Sequence, residues 1–373
     1  MKWQQIRIKD LLGWLIIFFL FWVVISVAWS QDILVSFRKL LVLGGFWFAA
    51  AIFAAHSSFK KITKFAFFYS LILLTVGIVA EVIRNRFQLS PFRWDYWFLG
   101  EMQPSMQPQV CAILLIAGTV IGRKGNGRCW RYYAIAGFAL FFLFLTRSRT
   151  YLYGSLFIAL AFMIMTTTSG ARLRHVMLHL PALLAGLCFL YLVLGDNLGE
   201  LGEALFLLGR SPDSTYTLTG RVDLWEISLG EAMNAPLLGH GYGSFVGAKG
   251  MIKISRLLEW GAPNPHNGYI EMLLEVGLVG GLAYLLVLVF GLLGGYKTFR
   301  KSGAAEHGFA LCLLLLYSVA MVFLGFTTNF LLFIAQSLLI KIGFVDDSKW
   351  GVYVETRRYG VGTVMSRESF RAG

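Results

Sequence analysis

Apolar runs of membrane-crossing length recur along this sequence, separated by short clusters of basic and turn-forming residues. About twenty residues of apolar helix cross the hydrocarbon core of a bilayer. Inside that core only helices and closed barrels satisfy their own backbone groups. The repetition of such runs predicts an all-α fold, a polytopic integral membrane helix bundle. Composition agrees, with 57% hydrophobic and 14% charged residues, where soluble domains carry about a quarter charged residues. The net charge of +13 sits in clusters between apolar runs, which suits membrane orientation and argues against a nucleic-acid partner.

Ten spans are expected, over residues 11–29, 38–55, 65–83, 110–122, 132–146, 150–168, 175–195, 268–294, 308–326 and 329–341. The first follows Lys2, Arg7 and Lys9, as a signal peptide would, but its length and the spans behind it predict a retained helix. With the N-terminus in the cytoplasm, 21 of the 33 Lys and Arg fall on the cytoplasmic side, as the positive-inside rule requires. Arg38 and Lys39 are an exception, expected to snorkel at the outer interface. The chain then divides into an N-terminal bundle of seven spans (1–195), an outward-facing loop (196–267), a C-terminal bundle of three spans (268–341) and a cytoplasmic tail (342–373). The four cysteines are scattered and form neither a disulfide framework nor a zinc pattern.

The 196–267 loop is the one soluble piece large enough to build a site. Within it, "TGRVDLWEISLGEAMNAP" puts Val222, Trp225, Leu229 and Met233 on one helical stripe, stopped by Pro236. That predicts an amphipathic helix lying over the bundle or in the interface. The glycine-rich "GHGYGSF" (239–245) lacks a phosphate-loop pattern and is expected to be a turn.

The loop ends in "NPHNGYIEMLLEVGLVGG" (264–281). Asn264 suits an N-cap and Pro265 a first helical position, which would put His266 in the first turn of span eight. There the helix dipole would help keep the imidazole neutral and able to accept a proton. The competing reading is an interfacial histidine satisfying a local hydrogen bond. Glu271 and Glu275 are spaced i, i+4 and share a face. Glu275 lies two turns in, so it is expected to point into the bundle or a wet cavity. Gly277 and Gly281, and likewise Gly291 and Gly295, have the spacing of close helix packing. Arg147 and Arg149 ("LTRSRTYLYGS") sit at an outward turn, while Arg210 and Arg221 ("TLTGRVDLW") lie in the loop. Guanidinium forks donate paired bonds to phosphate, so converging arginines would suit an anionic headgroup; outer anchors and salt-bridge partners are the alternative. His175 and His179 have metal-like spacing but no third ligand.

"TLTGRVDLWEISLGEAMNAPLLGHGYGSF", followed by "PHNGYIEMLLEVGLVGGLAYL", resembles the O-antigen ligase and polymerase superfamily, and within it the bacterial exopolysaccharide polymerases. "SRT" at 148–150 resembles the family's upstream element. The resemblance implies a GT-C-type integral membrane glycosyltransferase of the bacterial inner membrane. It would take a glycan from undecaprenyl diphosphate at the periplasmic face, with no cofactor, nucleotide sugar or required metal. The acceptor would be lipid A-core in a ligase, or another lipid-linked glycan in a polymerase; flippase and chain-length regulator proteins are expected partners, with membrane lipid around the spans. By the same resemblance His266, Arg221 and Arg149 are catalytic, and Arg147, Arg210, Asn267, Glu271 and Glu275 contact substrate. A transporter or exporter of lipid-linked glycans is the reading from another class. It expects mid-span charges and paired broken helices, whereas charges here cluster at outer ends, and no internal repeat is evident.

Overall fold

The computed structural model describes residues 8, 10–83, 106–123, 130–146, 148–167, 221–246, 249–258, 261–323, 325–326 and 329–345. Eleven α-helices lie among them, numbered here in chain order. They are α1 (Leu11–Ser26), α2 (Ile33–His56), α3 (Phe59–Ile83), α4 (Met106–Arg123), α5 (Trp130–Leu145) and α6 (Arg149–Thr167), then α7 (Arg221–Ala232), α8 (Lys249–Leu258), α9 (Gly268–Ser302), α10 (Ala305–Phe323) and α11 (Phe330–Phe344). Seven are long and apolar enough to cross a membrane, while α5 and α11 are apolar but shorter. Nine of the ten expected spans fall on helices; the tenth, 175–195, lies outside the described residues, as do Arg147, Arg210, His175 and His179.

Local sequence starts several of these helices. Asp10, Asp32 and Asn329 each accept a backbone N–H at the head of α1, α2 and α11, supplying a partner that the first turn lacks. The N- and C-terminal spans form one bundle, because α9 packs on α1 and α11 on α2. A single apolar core links Phe19, Phe67, Leu143, Tyr284, Phe309 and Ile334. Helices α1 to α6 alternate in direction, as do α9 to α11. One end of the bundle gathers the α2–α3 turn, where Phe59 meets His307 at 4.5 Å between ring centroids. Arg123 bonds Thr166 at that end. The heads of α4, α6, α9 and α11 point toward the other end, where α7 and α8 lie.

Helix α9 has 35 residues, about 52 Å at 1.5 Å per residue, against a hydrocarbon layer of about 30 Å. Counting about twenty residues back from Lys297 reaches Gly277, where the helix breaks with φ 66° and ψ −170°. Two indoles reach this level, Trp22 Nε1 donating to Val276 O (2.9 Å) and Trp29 Nε1 to Leu238 O (3.2 Å). Trp favours the membrane–water boundary, so the break coincides with that boundary at the loop-rich end. Gly277 is therefore an interruption of the helix, and the expectation that it serves close helix packing is corrected.

The "GHGYGSF" turn fills the break. The N–H groups of His240 and Gly241 donate to Leu274 O (2.9 Å) and Glu275 O (2.8 Å). Those of Leu278 and Val279 donate to Pro236 O (2.8 Å) and Leu237 O (3.3 Å). An unwound turn leaves such groups unpaired, at a cost of about 1–3 kcal/mol each when buried; the docked turn satisfies them. Gly239, Gly241 and Gly243 all have positive φ, and the chain could not follow this path with ordinary side chains there.

The apolar stripe of α7 divides, with Trp225 packed against the protein. Val222, Leu229 and Met233 are exposed, whereas Leu224, Ser228 and Ala232 face the protein. Leu224 and Ala232 join Phe245, Met251, Ile254, Ile270 and Leu274 in a second apolar cluster over α8 and the head of α9. Lys253 fastens α8 to α7 through Glu231 (2.7 Å).

Candidate active site

The site is built at the head of α9. Asn267 is the N-cap, its side chain accepting from the N–H of Tyr269 (3.0 Å) and Ile270 (3.2 Å). The cap therefore lies three residues later than the sequence suggested. Asn264 instead accepts the N–H of His266 at 2.8 Å, a local turn that competes with helix start. His266 precedes the helix and has φ 51°, a left-handed conformation uncommon for a residue with a Cβ. Such outliers persist only where surrounding contacts over-determine them. Here Asn264 holds one side of the turn, and the Trp225 indole holds the other by donating to Pro265 O at 3.0 Å.

Helix α7 brings Arg221 to the same place. Its Nη1 donates to Phe323 O at 3.2 Å, the carbonyl that ends α10, where a cation complements the helix dipole. Trp225, one turn on, packs on the Phe323 ring at 6.4 Å between centroids. His266 is half-buried, and its pKa is held below the usual 6.5, first by burial and second by the charge of Arg221. The imidazole is thus kept neutral, but by desolvation and a guanidinium, two causes absent from the sequence argument about the helix dipole.

Arg149 is the first residue of α6, and the register of α6 on α10 fixes its level. Gly154 faces Leu316 and Val319, while Gly308 lies against Phe162. The two helices are antiparallel, so the head of α6 stands beside the end of α10 that Arg221 contacts. Tyr269 and Glu271 lean the first half of α9 over that end, through Ser318 O (2.9 Å) and Phe326 N–H (2.7 Å) respectively. Arg149, Arg221, His266 and Glu271 therefore share one end of the bundle.

The two carboxylates are buried, with Glu271 at 4% and Glu275 at 2% exposure. Glu271 Oε2 and the Asn264 amide both crowd Gly325, where an added Cβ would lie 2.8 Å from each. Glu275 points into the bundle as expected. Its partner is Lys39, whose Nζ stands 3.8 Å from Oε1 and also donates to Val246 O. Lys39 thus turns inward to the buried carboxylate and the 239–246 turn, correcting the expectation that it snorkels at the surface. Sequence reasoning missed Lys39, Trp225 and Gly325 as parts of this region. The nearest signal was the odd basic pair on the outward side, because a lysine that breaks the charge rule often has an acidic partner.

Residues 134–285 match the family model described as O-antigen ligase. No curated protein matches the chain. The matched stretch runs from α5 through the break in α9 and includes Arg149, Arg221 and His266. Over these residues the chain is similar to the O-antigen ligase family.

Proposed function

We propose that this protein transfers a glycan from undecaprenyl diphosphate to a hydroxyl of an acceptor glycan, at the periplasmic face of the bacterial inner membrane. The observation that supports this most is that α7 brings Arg221 to the turn of His266, with Trp225 donating to Pro265 O and Arg221 to Phe323 O, inside the segment that matches the family model. Arg149 and Arg221 hold the diphosphate and stabilise the charge that develops as it departs. His266, neutral at physiological pH, takes the proton of the acceptor hydroxyl. The acceptor oxygen bonds to the anomeric carbon as the bond to the diphosphate oxygen breaks, inverting the configuration and releasing undecaprenyl diphosphate. Diphosphate is a competent leaving group once its charge is met, so no acid is required to protonate it.

Growth of a lipid-linked chain, a polymerase reaction, is favoured over transfer to lipid A-core. The "TGRVDLW" and "PHNGYIEMLLEVGLVGG" segments resemble those of exopolysaccharide polymerases. The deciding experiment reconstitutes the purified protein in proteoliposomes with extracted lipid-linked glycan and either acceptor. Longer lipid-linked chains support the polymerase, and label on lipid A-core would replace it with the ligase. Movement of the donor across the bilayer without a new glycosidic bond would overturn both in favour of an exporter.

A further inference from the structure

Phe323, Gly325 and Phe326, where the chain leaves α10, lie outside the 134–285 stretch that matches the family model. Yet they touch Arg221, Trp225, Asn264 and Glu271. Phe323 O accepts from Arg221 Nη1 at 3.2 Å, and the Phe323 ring packs on Trp225. The Phe326 N–H donates to Glu271 Oε2 at 2.7 Å. Gly325 lies between these contacts, against the amide of Asn264. A Cβ built on Gly325 would stand 2.8 Å from Asn264 Cγ and 2.8 Å from Glu271 Oε2. Carbon atoms in contact settle at about 3.5–4.0 Å, so a side chain there would displace one neighbour or the other. The oxygen of that Asn264 amide accepts the His266 N–H at 2.8 Å. Phe326 fixes the arrangement to the bundle. It is buried, and its ring meets Tyr284 edge-on at 5.5 Å between centroids. Tyr284 is bonded in turn, hydroxyl to hydroxyl, to Tyr317 on α10.

We infer that Gly325 is a positioning residue for His266: the exit of α10 is the surface on which the His266 turn is set, and Gly325 is the point where the turn rests on it. The inference rests on the function proposed above, and it adds what places the base against the arginine. His266 has φ 51°, a left-handed conformation that a residue with a Cβ leaves unless it is held. Two holds bear on the turn, and both run to the same short piece of chain. One is the Trp225 bond to Pro265 O, with Trp225 seated on Phe323. The other is the Asn264 bond to the His266 N–H, with Asn264 seated on Gly325. Arg221 takes its own place from Phe323 O. Phe323 and Gly325, two positions apart, thus give a common reference to side chains 45 positions apart. Gly325 has no side chain with which to touch a substrate, so its effect passes through Asn264.

Gly325→Ala in proteoliposomes of the full chain tests this. The methyl has to displace Asn264 or Glu271, and kcat per folded molecule should fall roughly 10–100-fold, the scale of a misplacement of about 1 Å. The donor KM should change little, because Arg149 still grips the diphosphate. In a His266→Ala background the same substitution should cost nothing further, as expected of two residues acting through one group. Losses that multiply would overturn the inference. Asn264 probes the same link without crowding. Asn264→Ser keeps an oxygen able to accept the His266 N–H and should retain more transfer than Asn264→Ala; equal losses would also overturn it. A further readout needs no substrate. Carbethoxylation of His266 by diethyl pyrocarbonate, read by peptide mass spectrometry, should be faster in Gly325→Ala, because the half-buried ring is loosened. An unchanged labelling rate, or an unchanged kcat, would remove Gly325 from the positioning of His266 and leave the glycosyl-transfer reading standing. A wild-type protein that forms no glycosidic bond, while Gly325→Ala still speeds labelling, would overturn the transfer reading alone.

Discussion

Gly239 and Gly277 meet backbone to backbone: a Cβ built on either would lie 2.5 Å from the nitrogen of the other. Both have positive φ. This contact joins the loop that follows α7 to the interruption in α9, and so couples the element carrying Arg221 to the one that follows His266. The buried carbonyls of the break accept hydrogen bonds from the turn.

Gly277→Ala and Gly239→Ala should each disturb this joint. A residue with a Cβ at positive φ costs about 1–3 kcal/mol in strain alone, and the steric overlap adds to it. Thermal unfolding in detergent should show a clear loss of stability for both, with Gly281→Ala much closer to wild type. Wild-type melting of both joint variants would mean that the turn and the break are not in contact.

Lys39 and Glu275 should behave as a coupled pair. Lys39→Met strands a buried carboxylate and should destabilise strongly, since removing one member of a buried pair leaves the other charge uncompensated. Adding Glu275→Gln should recover part of the loss, with a coupling of about 0.5–3 kcal/mol in the double-mutant cycle. Strict additivity would show that the two groups do not interact.

His266→Ala should lower transfer by roughly 10²–10⁴-fold, the contribution of a positioned general base, while the protein still folds and binds its donor. His266→Gln separates the two tasks of the ring, because glutamine hydrogen-bonds but hardly accepts a proton. Substantial activity in the glutamine variant would assign His266 to orienting the acceptor; full activity in the alanine variant would remove it from the mechanism.

The pH profile follows from the depressed pKa of His266. The base acts when deprotonated, so kcat/KM should be flat through neutrality and fall as pH drops through a value below 6.5. Arg221→Met removes one of the two causes, so the acid limb of its residual activity should move up toward 6.5. An acid limb that stays in place would show that Arg221 does not act on the ring.

Arg149→Ala should slow transfer by weakening the hold on the diphosphate, and Arg149→Lys should recover only part. Lysine restores the charge without the planar fork. Wild-type polymer yield from the alanine variant, at matched protein level, would free Arg149 from that role. Transfer by the wild-type protein should also survive exhaustive EDTA treatment, and a loss restored only by a divalent ion would refute metal independence.

The helical, membrane-spanning character of this chain was legible residue by residue, because hydropathy is a local property and a bilayer demands some twenty apolar residues in a row. The grouping of Arg149, Arg221 and His266 was legible from the resemblance in "SRT", "TGRVDLW" and "PHNGY". Side-chain direction was not legible. On α7 it is Leu224, Ser228 and Ala232 that face the protein, because α8 and the head of α9 pack on that side. The cap moved to Asn267 because Asn264 was already accepting from His266. Lys39 turned inward because Glu275, 236 positions along the chain, lies buried opposite it. Sequence by itself determined nine of the described helices and the charged residues near their ends. Tertiary structure alone decided which of those charges meet, because partners so far apart in the chain are chosen by packing and desolvation, and neither is written in local pattern.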